Sequence, residues 1–409
     1  MRKCLKNNFI SALVAYIFAF GIFNLGQIYF VQMNIKFLIP LVFYAAHQLI
    51  MNPSRKYLIV YALGLVYQFY CVIYTGFFLF YFSIFYMIIL SFVYKKNKFI
   101  LFYFTKKEYI YTLLITCISL SLMFLLLAPY VYSAEDLGYR NYSFVTNFLP
   151  RPLSFFLSHN SSVPWRILSS FGDKIVSEWW LHILFPGILP YLGLIIALVY
   201  IIKNLFIKKP INKTILSLVA IILLILILYI RTNGGKTLYF ILFNLPGMNS
   251  LQVLTRFAYI WNFLLLIVGA LMLLKLKNYK MVWKIVMFIF PIIIVTDNLF
   301  DASKVLKTEK KECIIRIDTL KLKIQNEYNH RKHIAFAYVP GNSVPAYQAH
   351  LDAMRTSQEL NIPTINGYST SCPSKGDACA FYSKCDKETL LILLNINKIQ
   401  SKSVCIIEN

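Results

Sequence analysis

The first three hundred residues hold six carboxylates, and four of them, Glu135, Asp136, Asp173 and Glu178, fall in one stretch, 131 to 180, between long apolar segments. An acid in such surroundings is unfavourable unless it faces water or takes part in chemistry. The stretch also carries Arg140, Arg151, Arg166 and Lys174, together with His159, Trp165, Trp179 and Trp180. Arginines of this kind can hold a phosphate or diphosphate, a carboxylate such as Glu135 or Asp136 can take a proton from an attacking hydroxyl, and the aromatics suit a membrane interface. An enzyme acting on a lipid-linked substrate needs that set. The same charges also fit a solvated loop whose acids and bases pair with each other.

Other residues are candidates one at a time. Arg256, at the start of an apolar run, suits a lipid phosphate because guanidinium matches phosphate oxygens, and it equally suits an interfacial anchor. His159 could donate a hydrogen bond to a substrate, although a lone loop histidine is ordinarily exposed. Asp297 reads as the exit from an apolar segment, and His47 and His182 as groups bonded to a neighbouring helix. Asn366-Gly367-Tyr368-Ser369 could contact a sugar but reads first as a tight turn. There is no glycine-rich phosphate loop, Ser-His-Asp arrangement or His-Glu-x-x-His motif in the chain.

What must position these residues follows from composition. Of 409 residues 58% are hydrophobic and 17% aromatic, far above a soluble domain of this length, which predicts an α-helical polytopic membrane protein. Apolar runs long enough to cross a bilayer lie at 9 to 31, 36 to 51, 57 to 75, 77 to 94, 109 to 130, 181 to 202, 214 to 230, 257 to 274 and 281 to 300, about nine spans. The second and fourth are short, so a re-entrant pair or merged helix would lower the count. Basic clusters at Arg2/Lys3/Lys6, Arg55/Lys56, Lys95/Lys96/Lys98 with Lys106/Lys107, Lys203/Lys208/Lys209/Lys213 and Lys275/Lys277/Lys280/Lys284 all land on one side if the N-terminus is cytoplasmic. That topology puts 131 to 180, 231 to 256 and everything from 301 onward outside the cytoplasm. It also accounts for the net charge of +24 as topology signals, with no nucleic-acid partner required.

The chain divides into a multi-span domain, 1 to 300, and a polar tail, 301 to 409. In the tail an apolar run at 333 to 339 ends at Pro340-Gly341, helical spacing covers 347 to 360 and 387 to 397, and an apolar strand closes the chain around 404 to 407. This alternation predicts a small extracytoplasmic α/β domain. Cys313, Cys372, Cys379, Cys385 and Cys405 fall there, where disulfides are permitted; their spacing lacks the short Cys-x-x-Cys pattern of zinc sites, and we assign no metal.

Several stretches resemble bacterial membrane proteins related to GT-C glycosyltransferases. They are Phe23-Asn24-Leu25-Gly26-Gln27 with Leu38-Ile39-Pro40-Leu41, Gln68-Phe69-Tyr70 with Ile73-Tyr74-Thr75-Gly76, Ala128-Pro129-Tyr130, Gly138-Tyr139-Arg140, Leu245-Pro246-Gly247 with Arg256-Phe257, His350-Leu351-Asp352-Ala353-Met354, and Pro363-Thr364-Ile365-Asn366-Gly367. The resemblance implies the inner (cytoplasmic) membrane of a bacterium, membrane lipid as surroundings and a polyprenyl-phosphate sugar as donor. Arg140, Arg151, His159 and Arg256 would then bind substrate, and Glu135 and Asp136 would be catalytic; it implies no particular cofactor. The chain departs from the family pattern at its first outer connection, Val31 to Lys36, which has no acid where such enzymes carry one. Its start also looks internal to that pattern, so an N-terminal region with the usual catalytic loop is expected to be missing. The other class that fits is a non-catalytic membrane protein, an assembly partner or transporter in surface-polysaccharide or cell-envelope synthesis.

Overall fold

A computed structural model describes residues 5, 7–95, 106–137, 140–174, 179–232, 234–305, 309–340, 344–368 and 380–408. The chain forms two compact units, one of Met1–Ala134 and Gly138–Val305, the other of Leu306–Asn409 with Glu135–Leu137.

The first unit is helical. Its elements are α1 (Asn8–Phe20), α2 (Ile22–Gly26), α3 (Leu38–Met51), α4 (Arg55–Cys71), α5 (Ile73–Tyr94), α6 (Lys106–Leu137), α7 (Tyr142–Asn147), α8 (Ile188–Phe206), α9 (Lys213–Tyr229), α10 (Phe240–Phe243), α11 (Ala258–Lys275) and α12 (Lys280–Asp297). Among the described residues five segments are long and apolar enough to cross a membrane: Asn8–Gly26, Ile73–Tyr94, Glu108–Ala134, Ile188–Phe206 and Leu254–Lys275. α3 and α9 are apolar but shorter. The remaining expected stretches, 57 to 75 and 281 to 300, fall on α4 and α12.

α11 lies at the centre, apolar around its whole circumference as a fully surrounded helix must be, and is buried from Ala258 through Val268. Tyr229 of α9 packs against Phe257 at 4.6 Å between ring centroids and against Phe82 of α5 at 5.6 Å, which closes the core between these helices. α8 crosses α11 at Gly193 and Gly269; a Cβ on Gly193 would lie 2.6 Å from the Gly269 Cα, so the two backbones meet because neither carries a side chain there. α6 is different: none of its apolar window is buried. It is held to α4 by a two-point ion pair, Arg55 to Glu108 at 2.8 and 2.9 Å, and by the Tyr70 hydroxyl donating to the Leu122 carbonyl at 2.9 Å.

The first helix breaks at Gly21, where the Asn298 side chain accepts a hydrogen bond from the Ile22 amide at 2.8 Å in place of the helical bond. The stretch from 148 to 187 forms short 3-10 turns at Pro152–Phe156, Arg166–Lys174 and Trp179–His182.

The second unit contains α13 (Lys310–Glu327), β1 (Ala335–Val339), α14 (Ala346–Leu360), α15 (Ala380–Lys384), α16 (Lys387–Ile396) and β2 (Val404–Glu408). β1 and β2 pair in parallel, Ala335 opposite Val404 through Val339 opposite Glu408, so the connection between them carries helices. Thr364 bridges Phe336 on the other side of β1, adding one parallel step. β1 is buried along its whole length, as a central parallel strand is. Its core gathers Phe336, Leu390, Leu393 and Ile407 with Phe381 and Ile324.

Candidate functional site

The two outer-loop segments expected from the sequence meet within the first unit. The Arg140 Nε donates to the Ser250 carbonyl at 3.3 Å, and its guanidinium lies 5.9 Å from the Phe144 ring, so Arg140 ties the 140s to the 248 to 257 turn. The Arg231 amide donates to the Pro150 carbonyl at 2.9 Å, and its guanidinium donates to the Thr146 carbonyl and the Asn147 side chain, both at 2.8 Å.

Arg151 belongs to a second, tighter group. Its amide donates to the Ser154 hydroxyl at 2.9 Å, and that hydroxyl stands 2.9 Å from His182 Nδ1. Burial and the neighbouring Arg151 hold this imidazole neutral, down at about 4. Burial and the charge of Arg231 lower Arg151. Two guanidinium groups therefore share a region that holds no carboxylate partner for either among the described residues.

His159 is not the exposed loop histidine that its sequence context suggests. It is buried, its ring 5.9 Å from Phe300 and 6.2 Å from Tyr29, its Nδ1 accepting from the Ser161 amide at 3.1 Å. The reason is a long-range pairing. Ser162 bridges Phe300, the Val163 amide donates to the Leu299 carbonyl at 3.0 Å, and the Asp301 amide donates to the Ser161 carbonyl at 2.7 Å. Burial lowers the His159 pKa, so the ring is neutral and serves as packing. Its Cβ would stand 3.1 Å from a side chain at Gly26, so glycine there lets the 159 turn sit down on α2.

Arg256 sits differently from the other arginines. It is largely enclosed, 5.3 Å over the Phe30 ring and 4.6 Å over the Tyr74 ring, and its Nε has no hydrogen-bond partner among the described residues. The Tyr259 hydroxyl, one turn on, is likewise buried without a partner. Against Tyr259 lies a cation that the sequence reasoning passed over: Lys36, 5% exposed, its Nζ 5.2 Å from the Tyr259 ring and 5.4 Å from the Phe18 ring, donating to the Asn24 side-chain oxygen. No carboxylate of the described residues pairs with Lys36 or Arg256. The signal was present, since Lys36 is a cation on a connection that the topology assigns to the side opposite the basic clusters. Gln27, which donates to the Ile183 carbonyl at 2.9 Å, lines a hollow with Arg256, Tyr259, Phe23 and Thr255; Lys36 is not in that lining. The hollow is small, about 10 Å³, room for one water and not for a phosphate group.

Glu135 and Asp136 close α6, and their side chains lie outside the described residues, as do those of Asp173, Lys174 and Glu178. Asp297 does more than mark an exit. Its carboxylate accepts from the Trp165 indole at 2.9 Å and from the Ile188 and Leu189 amides at 3.0 and 3.4 Å, so it caps α8. In the second unit Asn366 is buried and its side chain accepts from the Tyr338 amide at 2.7 Å and donates to the Tyr338 carbonyl at 2.9 Å; it continues the β1 ladder and is not open to a sugar. Cys313, Cys385 and Cys405 are free thiols, while Cys372 and Cys379 lie outside the described residues. Among the described residues no group of three His, Cys, Asp or Glu could hold a metal ion. Compared with known protein families, with curated proteins and with solved structures, the chain matches none.

Proposed function

We propose that the chain is a multi-pass membrane protein that takes a polyprenyl-phosphate-linked sugar at the extracytoplasmic face and transfers it in the manner of a GT-C glycosyltransferase. The observation that carries the reading is the pair Lys36 and Arg256, two enclosed cations near Tyr259 with no carboxylate partner among the described residues. Arg55 and Arg316, both less enclosed, have a counter-charge, in Glu108 at 2.8 Å and Asp352 at 2.9 Å. An enclosed charge without one is strongly unfavourable, and a bound anion relieves it. α6 supports the membrane part, because an apolar helix with none of its window buried needs lipid around it.

In this reading the phosphate of the donor lies between Lys36 Nζ and the Arg256 guanidinium. The bond between the sugar C1 and the phosphate oxygen breaks as the acceptor oxygen bonds to C1. Both cations then stabilise the charge that gathers on the departing polyprenyl phosphate. The acceptor hydroxyl gives its proton to a general base, the role that the sequence reading expects of Glu135 or Asp136. The hollow must widen first, by separation of the segments that line it, Phe23 to Phe30, Leu181 to Leu184 and Val253 to Tyr259.

That closed hollow is also the observation favouring the second reading, a non-catalytic assembly partner or transporter, in which Lys36 and Arg256 only brace the outer turns. Membranes carrying the protein, given a radiolabelled polyprenyl-phosphate sugar, separate the two. Transfer that falls at least tenfold in Arg256→Gln and in the double substitution Glu135→Gln, Asp136→Asn, with the protein still present and folded, supports the transferase. Transfer absent from the wild type, or unchanged in both variants, removes it.

A further inference from the structure

A groove of about 670 Å³ runs between α1, α8, α11 and α12, well away from Arg256. Its walls are apolar along most of their length, with Val14, Ile17, Ile196, Leu266 and Ile293 among them. Its floor includes the glycine crossing, where the backbones of α8 and α11 meet at Gly193 and Gly269. On α8 the lining extends from Leu189 to Tyr200, roughly 16 Å at the helical rise. That is about half of the hydrocarbon thickness of a bilayer, the depth of one leaflet.

Only one end of the groove is polar. There Lys275 holds its Nζ 3.9 Å over the Tyr200 ring, and Tyr279 stands beside it, mostly exposed. The Tyr200 hydroxyl accepts from the Asn212 amide at 3.2 Å and keeps its proton to donate. The carboxylates described in this unit are elsewhere: Glu108 pairs with Arg55, Asp301 with Arg166, and Asp297 caps the opposite end of α8. Lys203 and Lys277 add further positive charge on the same helix ends.

We infer that the groove binds one anionic phospholipid, a single acyl chain lying along the Gly193–Gly269 floor and the phosphate resting against Lys275 and the Tyr200 hydroxyl. The charge at the mouth selects the headgroup, and the length of the apolar wall matches a chain within one leaflet. This lipid is distinct from the sugar donor. Arg256 and Lys275 are nineteen residues apart on one continuous helical segment, about 28 Å at the helical rise, so they serve opposite ends of it. The inference rests on the membrane reading of the proposed function, and on no part of the transfer chemistry.

Protein extracted from vesicles of equal parts phosphatidylglycerol and phosphatidylcholine, and weighed intact with its retained lipid, tests it. The wild type should retain one phosphatidylglycerol in preference to phosphatidylcholine by about fivefold, the worth of one lysine at an anionic lipid. Lys275→Gln should bring the ratio to parity. Ile196→Trp, which fills the groove without touching the mouth, should lower retention of both lipids while the unfolding temperature stays near that of the wild type. Equal retention of both lipids by the wild type, or an unchanged ratio in Lys275→Gln, overturns the assignment. Extraction of the chain from membranes by alkaline carbonate would instead overturn the membrane reading beneath it, and that outcome is read separately from the lipid ratio.

Discussion

Trp165 and Asp297 are joined by a hydrogen bond from the indole Nε1 to the carboxylate at 2.9 Å, and the same carboxylate accepts the Ile188 and Leu189 amides that open α8. One side chain thus fastens the end of α12 to the start of α8 and to the 159 to 165 segment. Gly187 makes this approach possible: its φ of +94° suits glycine, and a Cβ there would stand 2.5 Å from the Asp297 carboxylate.

Removing that carboxylate should loosen all three elements at once. Asp297→Ala is expected to destabilise the protein by about 1 kcal/mol, the loss of a helix cap, because the indole N–H keeps its second acceptor, the main-chain carbonyl of residue 297 at 3.2 Å. Trp165→Phe removes the indole's bonds to the Asp297 carboxylate and carbonyl but leaves the two amide bonds that cap α8, and should have a smaller effect. Thermal unfolding in detergent measures both, and equal stability of Asp297→Ala and wild type would refute the capping role.

The glycine crossing gives an asymmetric prediction. At Gly193 a Cβ would meet the Gly269 Cα at 2.6 Å, whereas at Gly269 a Cβ would lie 3.5 Å from the Gly193 Cα, an ordinary contact. Gly193→Ala must therefore push α8 and α11 apart, at about 1 to 3 kcal/mol, the range for overpacking. Gly269→Ala should be neutral or slightly stabilising. Unfolding midpoints of the two variants in one detergent decide it, and equal losses would mean the crossing is not as described.

Much of the second unit was legible in the sequence, because its signals are local. The run 333 to 339 became β1, 347 to 360 became α14, 387 to 397 became α16, and 404 to 407 became β2, each within two residues. The apolar helices of the first unit were also visible as runs, although Gly21 divides the first and its partner in doing so, Asn298, is remote in sequence. The site was harder to see. Arg256 stood out as a cation at the start of an apolar run, but burial of Lys36 depends on Phe18, Asn24 and Tyr259 converging, which no spacing encodes. His159 was misjudged for the same reason, since the segment that buries it, 299 to 301, is more than a hundred residues away.

Lys36 offers a test in which stability and binding move in opposite directions. A buried ammonium with one neutral acceptor destabilises the substrate-free protein, and an apolar chain of similar length avoids that penalty. Lys36→Met should raise the unfolding temperature, by about 1 kcal/mol of stability. The same variant should bind polyprenyl phosphate at least tenfold more weakly, measured by the ligand-induced rise in unfolding temperature. A variant that is less stable and binds normally would show that Lys36 is a structural cation.

Cys385 sets a pH dependence in the second unit. Burial pushes its thiol up to about 12, with the nearby Asp386 charge adding to the effect and the Asn366 amide opposing it. The folded state therefore keeps the proton where the unfolded chain gives it up. Its contribution is complete below the ordinary thiol range and is lost as pH rises from there toward 12. Cys385→Ala should flatten the fall in stability between pH 9 and 11 relative to wild type. In the wild type at pH 8.5 the thiol should resist alkylation until the unit unfolds, because only the thiolate reacts and the folded state holds it as thiol. Mass spectrometry of iodoacetamide-treated protein reads this directly, and rapid modification of Cys385 in the folded chain at that pH would contradict its buried position.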